Sequence, residues 1–178
     1  MKIAALSDIH DNIWNLEKAV ALVKQHSCEA IIFCGDFCSP FVTPYLVDTG
    51  LLVYAVFGNN DEDQWSIVRR ADSDKFKVWG LTDQFAEIEL DGKKIAVYHY
   101  PKLAKYIAKS EEYDAVFYGH NPKPKLNTLA RRCVPTLEQF AVLFPANPAR
   151  PRLVFTTPPP IPSNTSKSYD DLGRLFKV

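Results

Sequence analysis

The chain reads as an α/β protein, and two observations predict it. Apolar runs at residues 3–6, 31–34 and 51–57 alternate with segments of helical period, the order that builds a parallel sheet. Each run also ends in a short polar motif: Asp8-Ile9-His10, Gly35-Asp36 and Gly58-Asn59-Asn60-Asp61. Two later runs, at 95–98 and 115–118, end the same way in Tyr98-His99-Tyr100 and Gly119-His120. In open α/β sheets, ligands and chemistry gather just beyond the carboxyl ends of the strands.

The elements follow in order. Residues 2–7 predict a buried strand. Asp11-Asn12 supply a helix N-cap, and Ile13, Leu16, Val20 and Val23 carry the helical period to about His26. Residues 30–34 are a second strand, and 40–49 a short helix or irregular crossover broken by Pro44. Residues 51–57 are a third strand and 63–70 a short helix. Residues 85–90 alternate in polarity, Asp91-Gly92 is a tight hairpin turn, and 93–98 return. Residues 101–110 predict a helix with proline in its first turn, and 115–118 a further strand.

Length and composition narrow the class. At 178 residues the chain is one domain, able to bury a substantial core. Basic and acidic residues number 21 each, so the basic excess typical of nucleic-acid binders is missing and nucleic acid is not favoured. No apolar run approaches the ~20 residues of a membrane span, and Asp8 and His10 interrupt the first run too early for a signal peptide. Cys28, Cys34, Cys38 and Cys133 form no dense framework, which suits reduced thiols in a cytoplasmic protein.

The motifs carry the chemistry. Asp, Asn and His are donors for hard-to-borderline divalent metals. Asp8 and His10 share one side of a strand end, because alternate residues share a face. Asp36 brings a carboxylate that can bridge two cations, Asn59 offers an amide oxygen, and His99 and His120 offer imidazoles. Two metals ~3.5–4 Å apart can activate a hydroxide and hold a phosphoryl group for in-line attack.

Residues 1–129 resemble the calcineurin-like metallophosphoesterase superfamily, most of all its small single-domain bacterial and archaeal phosphodiesterases. The family pattern is D-x-H, G-D, G-N-(H or C)-D, H-x-H and G-H-x-H. The resemblance implies two β-sheets packed face to face and flanked by helices, in four layers. It implies that Asp8, His10 and Asp36 hold a first metal, that Asp36 bridges, and that Asn59, His99 and His120 complete a second. Manganese is the first expectation, with zinc, iron or nickel as alternatives. The implied activity is hydrolysis of a small-molecule phosphodiester or phosphomonoester, with His10 and Asn59 stabilising the developing charge. Asp61 joins them as a catalytic candidate or as a structural acceptor orienting a histidine.

Three departures bear on activity. Asn60 stands where the family has a histidine or cysteine and cannot serve as a proton donor. Pro101 replaces the second histidine of H-x-H, and Pro122 replaces that of G-H-x-H, leaving the first metal one ligand short. A non-catalytic scaffold that keeps the fold for protein binding is therefore the alternative function. Other residues read blandly: His26 as a surface histidine at a helix end, and Trp14, Trp65 and Trp79 as packing residues, with pocket lining the lesser reading for Trp14. Tyr100 reads equally as pocket or packing. The oligomeric state is not legible.

From about residue 130 the character changes. Ten of the 13 prolines lie from Pro122 onward, and periodicity fades. One reading is a poorly ordered tail or linker. The other comes from the codons. If each new codon joins the last base of one residue's codon to the first two of the next, 135–139 can encode Asn-Pro-Gly-(Ala/Thr). In the same frame 155–162 can encode Tyr-Asp-Thr-Ala-Thr-Asn-Thr. Both are the family's closing motifs, in order, as expected of a frame-shifted translation over 130–178.

Overall fold

The computed structural model describes residues 1–71, 73–80, 85–120, 141–144 and 152–154. The first sheet begins with β1 (Ile3–Leu6), β2 (Ala30–Phe33) and β3 (Leu52–Val56), joined by α1 (Ile13–Gln25) and α2 (Thr43–Val47). After α3 (Gln64–Arg70) comes β4 (Phe76–Trp79). The second sheet is β5 (Ala86–Leu90), β6 (Lys93–Tyr98) and β7 (Ala115–Tyr118), with α4 (Pro101–Lys109) between the last two. Then follow β8 (Ala141–Phe144) and β9 (Arg152–Val154). The larger sheet has the order β4-β3-β2-β1-β8-β9; β1 to β4 run parallel, while β8 pairs antiparallel with β1 and β9 with β8. The smaller sheet is β5-β6-β7, antiparallel then parallel.

Alternation of side chains along the strands makes the layers. Ala4 and Leu6 of β1, with Ile31 and Phe33 of β2, pack with Leu16, Ala19 and Val23 of α1 and Ile67 of α3. Their neighbours Ile3, Ala5, Ala30 and Ile32 point the other way, against Ile88, Ile95, Val97 and Phe117 of the smaller sheet. Ala96 and Val116 face outward from that sheet to Ala104 and Ile107 of α4. The result is helices, sheet, sheet, helix, as the resemblance implies. Strands covered on both faces need continuous apolar sequence, and β1 and β2 are buried at every position.

The local signals hold at most termini. The Asn12 side chain caps α1, accepting from the Asn15 amide at 3.0 Å, and Asp63 caps α3 through the Ser66 amide at 3.1 Å. Asp91 and Gly92 both take positive φ, 54° and 67°, the turn geometry that matches hairpin twist. Two expectations need correction. Pro44 does not break the second crossover: it lies in the first turn of α2, where its missing N–H costs nothing. β4 is a strand that no run predicts, four residues long, paired to β3 over Val53–Val56.

The 130–178 tail falls almost entirely outside the described residues, apart from β8 and β9. Pro122 and Cys133 also lie outside them. Cys28, Cys34 and Cys38 are free thiols. Among the described residues no helix is long and apolar enough to cross a membrane.

Candidate metal centre

The polar motifs meet where the two sheets face each other. β1, β2 and β3 end side by side because they pair in parallel register, and β6 and β7 end together for the same reason. The Asp8 amide donates to the Gly35 carbonyl at 3.0 Å and the His10 amide to the Asp36 carbonyl at 3.2 Å, lacing the first two loops. The Gly119 amide donates to the His99 carbonyl at 2.9 Å, lacing the other two. The sheets are tied across the site by Asp8, whose two carboxylate oxygens accept from the His120 amide at 3.1 Å each. Ser7, itself buried, donates its hydroxyl to the same carboxylate.

Two groups of donor atoms result, with Asp36 in both: Asp36, His99 and His120, and Asp8, His10 and Asp36. Asp36 is 1% exposed. Its Oδ1 lies 3.5 Å from His99 Nε2 and its Oδ2 3.5 Å from His10 Nε2, so the carboxylate spans the two groups with one oxygen toward each. His99 Nε2 also lies 3.0 Å from Asn59 Oδ1 and 3.2 Å from His120 Nδ1. On its other side, His99 Nδ1 lies 2.7 Å from the Cys34 carbonyl. A carbonyl can only accept, so Nδ1 carries a proton and Nε2 is the nitrogen turned inward. Potential ligand atoms from Asp36, Asn59, His99 and His120 then converge. A divalent cation can draw on one lone pair from each of the four. The residues therefore fit a metal.

Backbone strain points to the same place. Asp8, His10, Asp36 and His120 all have positive φ, at 54°, 46°, 61° and 68°. That region costs a non-glycine residue roughly 1–2 kcal/mol, and such strain clusters at functional sites. Two glycines permit the close packing. A Cβ on Gly35, whose φ is 95°, would lie 2.7 Å from both His99 Nδ1 and the Gly58 nitrogen; one on Gly58 would collide with Asp36 Oδ1.

Asp61 is buried and spends its oxygens on backbone: it accepts from the amides of Gly58 at 2.7 Å, Cys38 at 2.8 Å and Asp36 at 3.0 Å. It clamps the second loop to the third. Burial raises the pKa of Asp61, with those amides opposing; burial likewise raises that of Asp8, against its bonds from Ser7 and His120.

Sequence reasoning overlooked several contributors. Asn60 donates its amide N–H to Asp36 Oδ2 at 2.8 Å and its backbone N–H to Oδ1 at 3.0 Å, so it orients the shared carboxylate. The Cys34 carbonyl sets the His99 tautomer. Cys38 Sγ lies 3.3 Å from His10 Nδ1; burial and surrounding carboxylates push that thiol up to about 11, so it stays protonated at neutral pH. A G-N-N-D motif beside G-D could have flagged Asn60, but a main-chain carbonyl leaves no sequence signal. Two of the three tryptophans also need correction. Trp14 and Trp65 are 71% and 66% exposed, because each opens a helix at the rim of the loops; Trp79 stacks on Tyr54 with ring centroids 6.1 Å apart.

Fold and site together define a two-sheet α/β protein with paired acid–imidazole donor groups at the sheet ends. The chain belongs to the calcineurin-like phosphoesterase superfamily, whose domain model matches residues 1–144. It is 32% identical over 129 residues to a phosphodiesterase of Methanocaldococcus jannaschii, spanning 67% of this chain and 72% of that protein. An archaeal phosphodiesterase structure superposes with a TM-score of 0.72 at 24% identity, covering 86% of this chain and all of that one. Vacuolar protein sorting 29 from Cryptosporidium parvum shares the fold more distantly, with a TM-score of 0.52 at 13% identity over 86% of this chain and 95% of its own.

Proposed function

We propose that the protein is a divalent-metal-dependent phosphoesterase hydrolysing a small-molecule phosphodiester or phosphomonoester. The observation that carries this is the pair of donor groups sharing the buried Asp36 carboxylate. The likeness to the M. jannaschii phosphodiesterase supports it. Asp8, His10 and Asp36 would hold one ion, and Asp36, Asn59, His99 and His120 the other. Manganese is the expected metal at both. Bound there, the ions supply Lewis acidity toward water and phosphoryl oxygen.

The chain's own residues do the rest. Asn60 aims the shared carboxylate, the Cys34 carbonyl holds the His99 proton away from the site, and Asp61 keeps the second and third loops in register. His10, half exposed, and Asn59 would act on developing phosphoryl charge through the ions that they help to hold. The test is metal content of the purified protein beside hydrolysis of bis(4-nitrophenyl) phosphate with manganese added. A protein that takes up manganese and releases nitrophenolate meets the proposal; one that takes up no divalent metal defeats it.

A second reading, a fold retained for protein binding, draws on Trp14, Phe41 and Trp65. Each follows one metal loop and is 71%, 67% or 66% exposed. Metal uptake with no hydrolysis of any phosphoester would favour it. The tail carries a proposal of its own: residues from about 130 are a frame-shifted translation of the family's final strands. Stops in the alternate frame of the coding DNA would end that idea. A cytoplasmic location is likewise proposed, from the composition and the cysteine pattern alone.

A further inference from the structure

Beside the metal-type residues lies a cleft of about 320 Å³. Its walls are aromatic and come from four different elements or their ends: Trp79 closing β4, Phe85 before β5, Tyr98 closing β6 and Tyr100 capping α4, with Leu103 from α4 itself. Gly58, near the start of the third loop, is part of the lining. Among the described lining residues none is charged, and Gln64 is the only amide side chain. The rings are braced. Tyr98 and Tyr100 meet at 5.7 Å between centroids with planes tilted 58°, and the Trp79 indole stacks on Tyr54.

The cleft is continuous with the metal centre. Tyr100 lines it and also sets its ring against His99 at 4.9 Å and His120 at 5.0 Å. Gly58, on the same wall, packs against the Asp36 carboxylate. A phosphoryl group held at Asp36, His99 and His120 therefore lies one side chain away from a ring-lined recess whose described lining carries no charge. The described lining holds no counter-ion for a charged substituent, whereas a flat ring would gain stacking and edge contacts from the aromatic walls. The volume is at the lower end for small-ligand pockets, which suits a single ring system more than an extended chain.

We infer that this cleft is the subsite for an aromatic ester group, an aryl ring or a nucleobase, carried by the phosphoester substrate. The inference rests on the phosphoesterase reading above and names the substrate class of that same site. It makes Trp79 and Tyr100 specificity-determining residues.

The test is binding to manganese-loaded protein by calorimetry, with two matched pairs of probes. Phenylphosphonate against methylphosphonate places a ring one bond from phosphorus. Adenosine 5′-monophosphate against ribose 5-phosphate places it beyond a sugar. The ring should raise affinity about tenfold in at least one pair, the scale of a good aromatic contact, and the pair that responds tells aryl from nucleobase. In Trp79→Leu and in Tyr100→Ala the ratio should fall toward one. Trp79→Leu is the cleaner variant, since it lies away from the metal loops; unchanged manganese content shows that either variant remains folded. Equal affinities within both pairs overturn the inference and leave the phosphoesterase reading standing, as does a preference that survives both substitutions. Protein that takes up no manganese and binds none of the four probes overturns the reading, and the inference with it.

Discussion

The two sides of Asp36 are built differently. On the His99 side the imidazole is 1% exposed, its proton is fixed by a main-chain carbonyl, and both flanking strands lie in the packed smaller sheet. On the His10 side the imidazole is 49% exposed, and its second nitrogen faces the Cys38 thiol, a soft and weak partner. On the proposed reading, one half is arranged before an ion arrives and the other is completed by it. Because the cost of ordering the first half is met by folding, affinity should be unequal between the two.

Asp36→Ala is the largest way to break that comparison, because it removes the only carboxylate common to both groups. It should abolish bound divalent metal and hydrolysis together, while His26→Ala, at the far end of α1, changes neither. Elemental analysis of the two variants checks this, and equal metal in wild type and Asp36→Ala would refute the shared role.

A smaller effect separates the halves. His99→Ala should lower affinity for the tighter ion by at least the ~10–100-fold seen when an outer-shell partner of a ligand is lost. His10→Ala should weaken only the looser one. Calorimetric titration with manganese reads both; two equally tight sites in the wild type would contradict the asymmetry.

Pro122→His sharpens the comparison from the other direction. Position 122 lies outside the described residues, but in the family pattern the residue two beyond His120 is a ligand of the first metal. Supplying an imidazole there should move metal stoichiometry toward two and raise turnover in activity with aryl phosphodiesters. A well-folded variant with unchanged stoichiometry and rate would mean that 122 does not occupy the ligand position.

The smallest effect lies away from the centre. The Tyr113 hydroxyl donates to Glu87, and burial together with that carboxylate pushes its pKa up to about 12. The protonated phenol is the form that the fold favours. Its contribution is therefore full below the unfolded value of ~10 and is lost as pH rises from there toward about 12. Denaturant midpoints measured from pH 9 to 12 should fall more steeply for wild type than for Tyr113→Phe. Parallel slopes would show that the bond contributes nothing to the pH dependence.

Much of the larger sheet was legible. The runs forming β1, β2 and β3 are apolar without interruption, and Asn12 announces the helix that follows β1. β4 was not, because Phe76-Lys77-Val78-Trp79 is too short to separate from loop by pattern, and only pairing with β3 makes it a strand. Pro44 misled because the same residue starts a helix or stops one, according to which turn it enters. The two exposed tryptophans misled because large apolar residues usually go inside.

By itself the sequence determined the α/β order, the caps and turns, and the delivery of Asp8, His10, Asp36, Asn59, His99 and His120 to strand ends. Those are consequences of local periodicity and of residue chemistry within a few positions. Only tertiary structure decided that Asp36 presents one oxygen to each imidazole, that Asn60 and Cys34 aim Asp36 and His99, and that Tyr98 and Tyr100 wall a cleft with Trp79. Cys34 and His99 are 65 residues apart, and their contact exists because two separately paired sheets pack face to face. Distances of that kind are set by how layers stack, and no local pattern along a chain encodes them.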